Sequence, residues 1–178
     1  MGKRLQLLSE MVPNASRFSV IWTPTFKTNH FDLQEMQATA AELRLTLHPI
    51  EVTRPEDFDA AFRTAAETSQ AVAVLSGPLV FTHRDLVVAA AARHKVPAMY
   101  YDEEYSGSGG LVSYGPSLAD LHRSAAALVD KLLKGADPGG MPVAQPTRFK
   151  LVLNNGAAKI LGLTIPPSLL ARADEVIE

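Results

Sequence analysis

Cysteine is absent from this 178-residue sequence, which excludes a disulfide framework and a thiol nucleophile. Positive charge is not in excess either, since the net charge is -2, and the composition therefore shows no basic face for nucleic acid. No apolar run is long enough to span a bilayer. The opening residues MGKRLQLLSEMVP also lack the apolar stretch and cleavage site of a signal peptide. Hydrophobic residues nevertheless make up 47% of the chain and charged residues 20%, which is typical of a globular domain.

Short apolar segments alternate with helical patterns up to residue 115. The segments that we predict to be β-strands are FSVIW (18–22), LTLHPIEV (45–52), AVAVLSG (71–77), PAMYY (97–101) and GLVSYG (110–115). Pro49 indicates that the second strand lies at an edge, because proline cannot donate to a strand ladder. The third strand is apolar on both faces, which predicts a central position. The alternation predicts an α/β fold with a parallel, flavodoxin-like sheet of strand order 2-1-3-4-5, flanked by helices.

The pattern changes after Gly115-Pro116. Ser117 and Asp120 form an S-x-x-D helix-capping pattern. Leucines at helical spacing then predict a long amphipathic helix that ends at Gly135. A loop rich in proline and glycine follows, and RFKLVLN (148–154) is a predicted sixth strand.

Small, hydroxyl-bearing and aromatic residues follow the predicted strands, where ligands bind to sheets of this kind. The candidate ligand-binding residues are Thr23, Thr25, Thr28 and Asn29 after the first strand, Ser76, Gly77 and Pro78 after the third, Tyr101 and Asp102 after the fourth, and Ser113 in the fifth. Backbone N–H groups at a helix start near Thr28 suit a carboxylate, and the Tyr101 ring suits an apolar ligand side chain. Plainer interpretations stay open: threonine and asparagine commonly cap helices, Gly77 can simply form a turn, and the acidic turn can be solvated.

No pattern typical of an enzyme is present. The five histidines lack metal-ligand spacing, and the adjacent Glu103 and Glu104 would point in opposite directions on an extended chain. GSGG precedes a strand rather than a helix, unlike a phosphate-binding loop. We therefore predict no catalytic residues, no metal site and no cofactor.

Several longer stretches carry a family resemblance. GKRLQLLSEMVP, RPEDFDAAF, RHKVPAMYYDEEYSGSGG and above all the tail LGLTIPPSLLARADEVIE resemble the C-terminal half of bacterial ABC-transporter substrate-binding proteins. This group includes relatives that bind aromatic amino acids. The resemblance implies a type I periplasmic-binding fold with two α/β lobes. Residues 1–113 would form the complete second lobe, 114–116 a hinge crossover, and 117–178 a segment of the first lobe, whose N-terminal part would precede this chain. The strand 148–154 would then have lost the sheet that it should join.

The resemblance also implies a function. It indicates the solute-binding component of an ABC importer, which captures a small amino acid-like molecule between its lobes, with aromatic amino acids favoured, and delivers it to a membrane permease. Asp102 or Glu103 would meet the ammonium group of the ligand. The full-length protein is expected to be periplasmic or extracytoplasmic and not to bind nucleic acid. Alternatives are the effector domain of a transcriptional regulator and, less favoured, a flavodoxin-like enzyme.

The resemblance finally raises the question of what covers residues 117–178. With the first lobe absent, we expect this segment to pair with a second copy of the chain as a homodimer. The alternative is that it folds back on its own domain or stays mobile.

Overall fold

A computed structural model describes residues 1–178 as alternating helices and strands. The helices are α1 (Gly2–Met11), α2 (Thr28–Glu42), α3 (Asp57–Thr68), α4 (Pro78–Thr82), α5 (Arg84–Arg93), α6 (Glu103–Gly107), α7 (Leu118–Leu133), α8 (Asn155–Ile160) and α9 (Pro167–Leu170). The strands are β1 (Arg17–Trp22), β2 (Thr46–Glu51), β3 (Ala71–Val74), β4 (Ala98–Tyr100), β5 (Val112–Pro116), β6 (Phe149–Asn154) and β7 (Glu175–Ile177). None of the helices has the length and apolar character that crossing a membrane requires.

The first five strands form the predicted sheet. Their order is β2-β1-β3-β4-β5 and all their pairings are parallel, so the predicted fold class and strand order are confirmed. The proline-containing strand β2 lies at the edge, where Pro49 is exposed. All four residues of β3 are buried, in agreement with its central position. The alternation of apolar segments with helical patterns, together with Pro49, was therefore sufficient to predict the order of these strands.

The sheet continues beyond β5, which differs from the expectation for the C-terminal segment. Strand β6 pairs antiparallel with β5 along five residue pairs, from Val112 opposite Leu153 to Pro116 opposite Phe149. Strand β7 then pairs parallel with β6. The expectation that residues 148–154 lack a sheet is therefore wrong, because β5 satisfies the backbone groups of β6. Strands β6 and β7 thus extend this sheet to seven strands.

Helices cover both faces of the sheet. One face packs against α1 and α2 through side chains such as Leu5 and Met36, and against the C-terminal helices through Leu169. The other face packs against α3 and α5, with Phe58 and Val87 in its core. Apolar residues at helical spacing point inward on these helices, and their burial is the main favourable contribution to stability.

Helix α7 stands apart from both cores. The Ser117 hydroxyl accepts a hydrogen bond from the Asp120 backbone N–H at 3.3 Å, which confirms the predicted cap. No residue of α7 is buried, however, and Leu133 remains 84% exposed. The helix is amphipathic, so its apolar face is left without a partner within this chain.

Candidate functional site

Three of the predicted ligand-binding residues are joined by the side chain of Asn29. The Asn29 Oδ1 accepts a hydrogen bond from the Thr23 backbone N–H at 2.9 Å, and its Nδ2 donates to the Ser76 carbonyl oxygen at 2.7 Å. Asn29 is only 1% exposed. Its amide therefore connects the loops after β1 and β3, at the point where the strand order reverses. We call the surface formed by the loops after β1, β3 and β4 the carboxyl-end surface.

Other predicted residues of these two loops lie on the outside. Thr25 and Thr28 are exposed, and α2 begins at Thr28 without a side-chain cap from the preceding residue. Gly77 is buried and has an extended φ of 169°, which any residue can adopt. A Cβ at Gly77 would lie 3.4 Å from the Phe26 ring. Pro78 occupies the first position of α4 and is exposed, as is common for proline at helix starts.

The residues after β4 divide between the surface and the interior. The Tyr101 ring is half-buried and lies 5.4 Å from the Tyr105 ring centroid. Burial raises the pKa of the Tyr101 hydroxyl. Asp102 is turned inward, is 6% exposed, and accepts a hydrogen bond from the Glu104 backbone N–H at 2.9 Å, so that it caps α6. Burial is also the main cause that raises the pKa of the Asp102 carboxyl.

Ser113 is not brought to the carboxyl-end surface. It is 1% exposed, and its hydroxyl accepts a hydrogen bond from the Ser106 hydroxyl at 3.0 Å. This bond connects β5 with α6 inside the protein. The neighbouring Tyr114, by contrast, is half-buried and faces the side of the sheet that α1 covers.

Arg4 is a residue of this region that the sequence analysis missed. Its Nε donates to the Tyr114 carbonyl oxygen at 2.7 Å, and its Cζ lies 5.9 Å from the Tyr101 ring centroid. Burial lowers the pKa of the guanidinium, and the nearby Asp32 carboxylate is the largest opposing influence. A usable signal existed in the sequence. Helix α1 immediately precedes β1 in the sequence, and a helix that packs on a parallel sheet runs antiparallel to the strand that follows it. Its N-terminal end, which contains Arg4, is therefore expected near the carboxyl ends of the strands.

Arg4 contributes to a recess beside the carboxyl-end surface. We call it the charged recess; its volume is about 390 Å³ and its lining residues are Met1, Lys3, Arg4, Asp32, Glu35, Tyr114 and Phe149. Tyr114 and Phe149 stack with ring centroids 5.6 Å apart and planes 21° apart. Burial is the main cause that raises the pKa of the Asp32 carboxyl. The recess thus combines charges of both signs with an aromatic wall, which is a chemistry suited to binding a small polar molecule.

Metal binding has no support from the side-chain geometry. No group of three or more histidine, cysteine, aspartate or glutamate side chains is arranged to hold an ion. The region instead combines a sheet edge, two loops joined by Asn29 and a recess lined by charged and aromatic side chains.

The chain belongs to the family of ABC transporter substrate binding proteins, whose model matches residues 1–177. Its architecture is correspondingly that of the periplasmic-binding-protein-like proteins. A search among curated proteins gave no match.

Solved structures show the same fold. A conserved domain protein from Vibrio cholerae is 26% identical with a TM-score of 0.88, and the match covers 98% of this chain and 59% of the other. An ABC domain from Streptococcus pneumoniae, in complex with L-Trp, is 24% identical with a TM-score of 0.90, covering 99% and 60% respectively. A substrate binding protein with adhesive properties from Clostridium difficile, in a ligand-free, open structure, is 19% identical with a TM-score of 0.74, covering 98% and 59%. The chain therefore spans about three fifths of the length of these structures.

Proposed function

We propose that this chain is part of the solute-binding component of an ABC importer, which captures a small amino acid-like ligand, with an aromatic amino acid favoured. The observation that carries the proposal is the charged recess, in a chain that matches a substrate-binding family over residues 1–177. The L-Trp complex of the Streptococcus pneumoniae structure supports the choice of ligand. The family match favours this function over the effector domain of a transcriptional regulator and over an enzyme.

The path of the chain supports a two-lobe arrangement. The chain leaves the sheet at Pro116 and returns at Phe149, which pairs with it. The Ser117 backbone N–H also donates to the Arg148 carbonyl oxygen at 3.1 Å. We propose that residues 1–113 form one lobe, together with residues 149–178, that 114–116 form a hinge crossover, and that 117–148 pack on a second lobe formed by further residues of the full-length protein. Closure about this hinge would enclose the ligand between the lobes.

The remaining parts of the proposal concern location and partners. A component of an importer must meet its ligand outside the cytoplasm and then dock on the membrane permease. We therefore place the full-length protein in the periplasm or another extracytoplasmic space, with the permease as its protein partner. Nucleic acid has no role in this proposal, in keeping with the net charge of -2.

Calorimetric titration of the full-length protein tests the ligand class. We expect L-tryptophan or another aromatic amino acid to bind, while glucose, which lacks both a carboxylate and an ammonium group, gives no heat. Mass spectrometry after incubation should recover the ligand unchanged, because the site contains no nucleophile–base pair. Binding of sugars or metal ions alone would contradict the ligand class, and steady product formation would contradict a purely binding role.

For the 178-residue chain by itself, we expect α7 to mediate association between two copies. Its apolar face has no cover, and burying one leucine side chain is worth about 1.5–3 kcal/mol. Light scattering should show a concentration-dependent dimer. Leu128→Lys, on the apolar face, should shift the chain to monomer, whereas Ala127→Lys, on the opposite face of the same helix, should not. A monomer at every concentration, or equal effects of the two variants, would refute the association.

A further inference from the structure

Two opposite charges line the charged recess without contacting each other. Arg4 and Asp32 are both half-buried, and no salt bridge joins them. The Asp32 carboxylate forms no salt bridge, and the Arg4 Nη2 donates no hydrogen bond, whereas the Arg4 Nε and Nη1 donate to the Tyr114 carbonyl oxygen and to the Met1 Sδ. Partly buried charges are normally paired, because removal from water is costly for each ion. The unused groups of both residues are therefore free for a bound molecule that supplies the opposite charges.

Arg4 is held in place by contacts that leave part of its guanidinium unused. Its Nε is engaged with the Tyr114 carbonyl oxygen at 2.7 Å, and its Cζ is near the Tyr101 ring at 5.9 Å. These contacts fix the plane of the guanidinium without neutralising its charge. A planar guanidinium with free N–H groups is the arrangement that recognises a carboxylate most specifically.

The same recess has an aromatic wall. Tyr114 and Phe149 stack on each other, and Phe149 is still 43% exposed. These two residues lie where the chain leaves the sheet and where it returns. A ligand ring placed against this pair would add aromatic contact area to the charge interactions.

We propose that the charged recess binds the zwitterionic head of an amino acid, with Arg4 pairing with its carboxylate and Asp32 with its ammonium group. This assignment rests on the proposed function and deepens it by naming the residues that select the ligand class. It also moves the recognition of the ammonium group from Asp102, which caps α6 from inside the protein, to Asp32. The Tyr114–Phe149 pair would then contact an aromatic ligand side chain.

Each proposed pairing is tested by removing the charged group from the protein and, separately, the group that it should pair with from the ligand. In the full-length protein, Arg4→Gln should weaken L-tryptophan binding about ten- to a hundredfold, as expected for loss of a charge-assisted hydrogen bond. The same variant should bind L-tryptophanamide, which has no carboxylate, nearly as well as the wild type does. Asp32→Asn should weaken L-tryptophan by a similar factor but leave 3-indolepropionate, which has no ammonium group, almost unaffected. Arg63→Gln removes the same charge from the exposed surface of α3 and should change neither affinity.

The outcomes separate the inference from the proposed function. If the wild type binds no amino acid, the proposed function fails and this assignment fails with it. If the wild type binds L-tryptophan but Arg4→Gln weakens the acid and the amide equally, only the assignment is overturned. Arg4→Lys keeps the charge but loses the planar fork, so it should show a smaller loss that is again confined to the acid. If Arg4→Gln does not fold, the ratio of acid to amide affinity in Arg4→Lys decides the question in the same way.

Discussion

Gly115→Ala should be among the most destabilising single substitutions in this protein, lowering the free energy of unfolding by about 2–4 kcal/mol. A Cβ at Gly115 would lie 2.8 Å from the Tyr101 carbonyl carbon and closer still to its oxygen. The obstacle is backbone, which cannot rotate away as a side chain can. Either the end of β5 or the turn after β4 would have to move.

Thermal unfolding measures the effect of Gly115→Ala. A loss of this size should lower the melting temperature by about 5–12 °C for a chain of this length. Gly107→Ala is the matched control, because a Cβ at Gly107, at the end of α6, meets no atom within 4 Å. It should leave stability unchanged or slightly increased. Equal melting temperatures for the two variants would contradict the argument from close approach.

Gly115→Ala should also disturb ligand binding. Tyr101, whose carbonyl must shift, has its ring beside the Arg4 guanidinium. Displacement of this turn would weaken a contact that holds Arg4 in place in the proposed site.

Asn29→Ala should have a second large effect on stability, a loss of about 2–4 kcal/mol in the free energy of unfolding. The substitution leaves the Thr23 N–H and the Ser76 carbonyl oxygen without the partners that they have now. An unsatisfied buried backbone group costs about 1–3 kcal/mol, and water entering the gap would recover part of the loss. The loops after β1 and β3 should separate as a consequence.

Urea denaturation can test the role of Asn29 with an internal control. Asn14→Ala removes an asparagine side chain that is exposed and makes no hydrogen bond, since only the Asn14 backbone carbonyl is engaged. It should be neutral. Asn29→Asp keeps the acceptor for Thr23 but loses the donor to Ser76, so it should also be destabilising. Similar denaturation midpoints for Asn29→Ala and Asn14→Ala would show that the amide does not hold the loops together.

The candidate site could be predicted only in part. Thr23, Asn29 and Ser76 were chosen because they follow the ends of predicted strands, and they lie together in the structure because parallel strands end at one edge of the sheet. The sequence could not show how their polar atoms are used. An asparagine at a strand end has the same appearance whether it binds a ligand or joins two loops, and only the observed hydrogen bonds distinguish these uses.

Asp102 and Arg4 also show what the sequence could not predict: Asp102 was expected to contact the ligand, whereas Arg4 was not identified. Asp102 has the residue type expected to meet an ammonium group, yet it is 6% exposed and caps α6. Arg4 lies more than a hundred residues from Tyr114 in the sequence, yet the two are joined by a hydrogen bond of 2.7 Å. The orientation of a side chain and its hydrogen-bond partner depend on how distant segments pack, and a local sequence pattern does not predict that packing.

The sequence by itself determined the local structure and the order of the parallel strands. Apolar alternation, helical spacing and Pro49 were sufficient for β2-β1-β3-β4-β5, since each of these signals acts within a few residues or through the preference for right-handed crossovers. Only the tertiary structure decided that β6 pairs antiparallel with β5, that α7 has no cover within this chain, and that Arg4 and Asp32 share a recess. The physical reason is that the spacing of apolar residues shows that a strand or helix forms and which face is buried. The partner of that face is chosen by contacts between residues far apart in the sequence.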